Sequence, residues 1–219
     1  MYNVRKLAQM AAYFLHRNGG APMEHVKLMK LMYLADREAM NIYGFPISND
    51  EYYSMRMGPV LSLTLDLMGG NEGVEAQREW GEWVSDKENY QVSLQKKEMT
   101  ESDLDELADE EISVLRKIFD SFCDWTMNRL IDYTHTLKEW IDPGSGRLPI
   151  TLQSIFEALE KPAAEIEAKL KYLTTAKPNT AFSPITKSSL LSRIDNFRSV
   201  PPPYPGAYTE KLDALFSGR

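Results

Sequence analysis

Two stretches of helical period, divided by Gly19-Gly20 and closed by Tyr43-Gly44, open this chain and commit it to helix packing. In the first, between Tyr2 and Asn18, Val4, Leu7, Ala8, Ala11, Phe14 and Leu15 recur at helical spacing. In the second, Val26, Leu28, Met29, Leu31, Met32, Tyr33 and Ala35 make a broad apolar face. Glycine stops a helix because it takes the left-handed conformation at little cost, and Pro22 suits a first helical turn.

Further breaks organise the rest. Phe45-Pro46-Ile47-Ser48 reads as a short extended connection. Gly58-Pro59 interrupts what precedes it, and Pro59 is expected to open a third, buried helix through Leu61, Leu65 and Met68, closed by Gly69-Gly70. The period then changes. Trp80, Trp83, Val84, Tyr90, Val92 and Leu94 flank the polar run Ser85 to Asn89, which predicts a β-hairpin, with a strand from the Phe45 to Met55 stretch beside it. Between Glu98 and Glu111 stand eight carboxylates and no Lys or Arg. Ser102 and Asp109 are placed to cap a short helix near Leu104 to Leu107 and a longer one from Glu110 to Cys123. Thr126 can cap a helix carrying Leu130, Ile131 and Tyr133. A loop follows at Asp142 to Gly146, then helices over Thr151 to Leu159 and Pro162 to Leu173. The predicted class is mainly α with a small antiparallel sheet or hairpin (α+β), as one compact helical domain over residues 1–175.

Beyond Ala176 the composition shifts. Half of the twelve prolines fall there, and six Lys or Arg face three Asp or Glu. The run Pro201-Pro202-Pro203-Tyr204-Pro205 favours a semi-rigid polyproline spacer. Leu190, Leu191, Ile194 and Phe197 precede it, and Leu212, Leu215 and Phe216 follow it, as two short amphipathic stripes. Short amphipathic helices are marginal alone in water, so each stripe needs a surface to lie on. Residues 176–219 are therefore expected to form an extension whose Leu191, Ile194, Phe197, Leu212, Leu215 and Phe216 contact a partner.

The 219 residues carry 25 Lys or Arg against 32 Asp or Glu, a net charge of −7. That balance disfavours a sequence-independent nucleic-acid binder. A lone cysteine, Cys123, forms no internal disulfide, and no Cys cluster can hold a metal. With no signal-peptide pattern and no apolar run long enough to span a bilayer, a cytoplasmic setting is expected.

Chemistry-bearing motifs are scarce. His16, His25 and His135 have no metal-ligand spacing, and no nucleophile elbow or phosphate loop is present. His16 suits a helix C-terminus, where a positive ring meets the dipole. His135 reads as a buried imidazole bonded to the backbone in preference to a catalytic one. Asp103 and Asp105 lack the Gly and the terminal Glu of a calcium loop. No cofactor and no enzymatic function are expected.

One ordered series stands out. Lys30-Leu31-Met32-Tyr33-Leu34-Ala35-Asp36 leads to Tyr43-Gly44-Phe45-Pro46-Ile47, then Tyr52, then Met57-Gly58-Pro59-Val60, and finally Leu130, Thr134-His135 and Trp140. This series resembles the SocA/GepA-like Panacea domain. Two positions depart from its usual pattern: Met29, where a polar residue is common, and Glu139, where proline often precedes the tryptophan. The resemblance implies a bacterial or prophage antitoxin that neutralises a cognate toxin protein, in many members by direct binding. In another kind it implies an adaptor that delivers the toxin to a protease. It supplies no catalytic residue. It marks Lys30, Tyr33, Asp36, Gly44, Pro46, Tyr52, Gly58, Pro59, His135 and Trp140 as motif positions with structural or partner-binding roles. The competing reading is a DNA-binding autoregulator. Its nearest recognition segment, Lys187 to Arg198, follows no helix and turn of the required form. A hydrolase using His135 ranks last, since no second catalytic group accompanies it.

Overall fold

A computed structural model of the chain describes residues 3–175. The protein is mostly helical with two small antiparallel sheets, as the class reading expects. Helix α1 (Val4–Arg17) starts where the Asn3 side chain accepts the Lys6 N–H at 3.0 Å. It stops at Gly19 and Gly20, both at positive φ. Helix α2 (His25–Tyr43) lies at the centre. Every residue from Leu28 to Met40 is buried, so no side of that stretch faces water. Around it pack α1, α3 (Ser62–Met68), α5 (Asp109–Phe122), α6 (Met127–His135) and α7 (Leu152–Ala158). Helix α8 (Ala163–Thr175) rests on α7, while α4 (Val74–Gly81) rests on α1 and α3.

Strands β2 (Tyr52–Met55) and β3 (Gly58–Leu61) form a tight hairpin, and β5 (Leu148–Ile150) adds to the free side of β2. Strands β1 (Met23–Glu24) and β4 (Gln91–Val92) pair separately.

Several expectations are corrected. Pro59 does not open a helix. It pairs with Ser54 inside β3, an edge strand of its sheet where a missing N–H is tolerated, and α3 begins at Ser62. The Asp50 carboxylate caps α3 from outside, accepting the N–H groups of Leu63 and Thr64, each at 2.9 Å. Pro22 does not sit in the first turn of α2, because β1 intervenes to pair Met23 with Val92. In the expected hairpin, Val84 does oppose Leu94, but Trp80 belongs to α4 and Tyr90 lies in the turn. The strand from the Phe45 to Met55 stretch joins the other sheet. Asp109 is the first residue of α5, not its cap. The Glu111 side chain reaches back to the Ala108 N–H at 2.9 Å. Near Ser102, Thr100 caps a single 3-10 turn at Glu101–Asp103. The residues of the C-terminal extension, from Leu191 to Phe216, lie outside the described residues.

The Glu111 carboxylate also holds Lys6 at 2.7 Å, and both side chains are buried between α1 and α5. Removing one partner of a buried pair strands the other charge, at a cost of about 3–5 kcal/mol. We expect Lys6→Met to lose stability on that scale in urea unfolding, and Lys6→Met/Glu111→Met to lose less than the single variant.

Candidate functional site

Helix α2 carries three of the motif side chains into two separate polar networks. The first surrounds Lys30, which is 1% exposed. Its ammonium donates to the Pro59 carbonyl at 2.7 Å. Gly58 precedes that proline at φ +93°, and a Cβ there would stand 2.6 Å from Thr134 Oγ1 and 3.0 Å from Lys30 Nζ. Only glycine fits this conformation and this space. The Thr134 hydroxyl, on α6, donates to the Ile131 carbonyl at 3.0 Å. Next to it, the His135 ring stacks on Trp140 with centroids 4.0 Å apart, and Trp140 Nε1 donates to the Met55 carbonyl at 3.1 Å. Burial holds the Lys30 pKa down at about 7. Burial first, and Lys30 second, also push His135 below its ordinary value.

The second network centres on Asp36, fully buried on the far stretch of α2. Its carboxylate accepts the N–H groups of Ile47 and Ser48, each at 2.9 Å, the Ser48 hydroxyl, and the Tyr52 hydroxyl at 2.8 Å. Burial raises its pKa to about 6, against the opposing pull of these bonds. Tyr52 meets Tyr33 edge-on at 5.8 Å. Tyr33 donates to Glu139 at 3.1 Å, and Arg37 Nε donates to the same carboxylate at 2.6 Å. Desolvation lifts the pKa of both tyrosines well above 10. Gly44 ends α2 in the left-handed region at φ +82°, and Lys169 of α8 lies where its Cβ would be. Pro46 follows in the buried connection that Asp36 ties down.

The family model described as "Antitoxin SocA-like, Panacea domain" matches residues 28–141, just over half of the chain. The chain belongs to this family. The matched span encloses all ten motif residues and both networks. Searches of curated proteins and of solved structures returned no match.

The geometry of the Panacea core divides its motif. Lys30, Gly58, Pro59, His135 and Trp140 converge where α2, β3 and α6 meet. Tyr33, Asp36 and Tyr52 converge one to two turns further along α2, and Gly44 and Pro46 lie beyond. Arg37, Ser48 and Glu139 complete the second network, and no motif reasoning singled them out as site residues. Glu139 had one visible signal: it stands where the family often carries proline. The other departure, Met29, has its sulfur 3.3 Å from the Leu61 N–H.

Each charged group of the two networks has an internal partner, and the arrangement is built to hold elements together. Among the described residues no cluster of three or more His, Cys, Asp or Glu is arranged to hold a metal. No described helix is long and apolar enough to cross a membrane.

Two outcomes follow from the first network. Gly58→Val should lower stability by roughly 3 kcal/mol, since backbone strain adds to a steric clash with Thr134 and Lys30; urea unfolding measures it. The pH dependence has a definite sign. Above pH 7 folded Lys30 loses its proton while an unfolded lysine keeps it until about 10.5. The native state then binds fewer protons, so stability rises with pH over that window, by at most about 1.4 kcal/mol per unit. Lys30→Met should flatten the rise between pH 7 and 9. Asp36 acts oppositely: its folded pKa is raised, so its contribution is lost as pH climbs from about 4 to about 6.

Proposed function

We propose that this protein is the antitoxin of a bacterial or prophage toxin–antitoxin pair, acting in the cytoplasm, and that it neutralises its cognate toxin by direct protein binding. The observation that carries this reading is the family match over residues 28–141. The inward-facing motif supports it. Lys30, Tyr33, Asp36, Tyr52 and Glu139 bond to the protein's own backbone and side chains, so their role is to stiffen a scaffold whose outer surface is left for a partner. In this reading Gly44, Pro46, Gly58, Pro59, His135 and Trp140 shape the same scaffold. Residues 1–175 form the Panacea-like domain, and residues 176–219 form an extension that grips the toxin through the stripes around Leu191 and Leu212.

The test is co-expression with the product of the neighbouring gene. That product alone should arrest growth, and this protein should relieve the arrest and co-purify with it in a stoichiometric complex. Relief that needs a cellular protease and lowers the toxin's level would replace blocking by delivery.

A chain ending at Ala176 should keep the melting temperature of the full chain and lose pull-down of the toxin. Full binding by the truncated chain would remove the extension from the interface.

A further inference from the structure

The hairpin leading into β4 turns through Asn89 and Tyr90, at φ +49° and +63°. Glu88 and Gln91 close it with reciprocal backbone bonds of 2.9 and 2.8 Å. Two consecutive left-handed residues between such a pair make a type I′ turn, whose second position is ordinarily glycine. Here that position holds a tyrosine, a residue that resists positive φ. The ring does not repay this strain in the core, because Tyr90 is 76% exposed.

The contacts that fix the turn are made by the main chain. The Tyr90 carbonyl accepts the His25 N–H at 2.9 Å and lies 2.8 Å from His25 Nδ1. Glycine would supply the same carbonyl. The ring adds only a loose stack on His25, with centroids 6.2 Å apart. The turn is nonetheless held at its base: Glu24 pairs with Gln91 and Met23 with Val92, which ties it to the start of α2. A strained, exposed aromatic on a strand-paired turn has the character of a binding hot spot, since little order is lost when it docks.

The surroundings indicate what it docks into. Glu24, Asp86 and Glu88 are exposed on or next to the strands that carry the turn, with Lys87 between the last two and Arg78 lining the same pocket as Asp86 and Lys87. None of the three carboxylates has an ion-pair partner among the described residues. We propose that Tyr90 is an anchor for the toxin, inserting its ring into an apolar pocket on that protein whose rim carries Lys and Arg. This inference rests on the antitoxin reading. It adds to it the surface and the chemistry of the partner's site.

The experiment titrates the full chain with the purified product of the neighbouring gene by calorimetry. Tyr90→Gly should melt at the wild-type temperature or about 2–4 °C higher, because the turn strain is relieved, yet bind at least tenfold more weakly. Tyr90→Ala keeps the strain without the ring and should bind as weakly while melting no higher than wild type. Glu24→Lys/Glu88→Lys should also bind more weakly, and wild-type affinity should fall as salt is added. Binding by Tyr90→Gly within twofold of wild type would overturn the anchor and leave the antitoxin reading standing. Loss of self-association by that variant with toxin affinity intact would equally overturn it, assigning the turn to contact between copies. A wild-type chain that fails to bind the toxin would overturn the direct-binding reading and this inference together.

Discussion

A carboxylate sealed from water must find donors, and in this protein Asp36 finds them on the chain that leaves its own helix. Four donors from Ile47, Ser48 and Tyr52 converge on it. An unpaired buried charge would cost several kcal/mol, so the connection after α2 has few other courses open to it. Much else follows from that connection. It delivers β2, whose hairpin with β3 brings Gly58 and Pro59 against Lys30. It also places Asp50, which caps α3. One buried group on a central helix thus sets the entry to the sheet and, through the sheet, the helix that follows.

The remaining buried charges work the same way. Glu139 joins the segment after α6 to α2 through Arg37 and Tyr33, and Glu111 joins α5 to α1 through Lys6. Such pairs add little net stability compared with well-packed apolar residues, because desolvation offsets most of their attraction. They penalise wrong arrangements heavily, since any other packing leaves a charge unpaired. Lys30 is the exception in kind. Its ammonium meets one carbonyl and no carboxylate, so burial lowers its pKa and no counter-charge restores it.

Helices were the most legible part of the sequence. Those of α1, α2, α5, α6 and α7 are legible from apolar spacing and from punctuation at Gly19, Gly44 and Thr126, because a helix bonds to itself. The strands were less so. Pro59 after Gly58 carries the local signature of a helix start and its pairing with Ser54 leaves none, while β5 follows a glycine-rich loop with no apolar alternation at Leu148-Pro149-Ile150. Pairing partners distant in the chain leave no local trace. The motif residues could be found as a series, but their division into two networks could not. That division depends on Glu139, which bonds to α2 from 102 positions beyond Arg37. Glu111 was hidden for a similar reason: its capping bond is local, while its lysine lies over a hundred positions earlier.

The placement of strain completes the argument. Gly44 and Gly58 are buried at positive φ, and both are pressed against lysine side chains, while half-buried Asn49 and exposed Glu160 also take positive φ. At those two buried positions the chain uses the one residue that bears such a backbone without penalty. At the surface, Asn89 and Tyr90 take the same conformation where glycine would serve the turn as well. A core bound together by buried charges can carry this strain without changing shape. An interior organised around its own polar groups leaves recognition to the periphery. The residues that choose a partner are therefore sought where local preference is violated and no internal contact explains the violation.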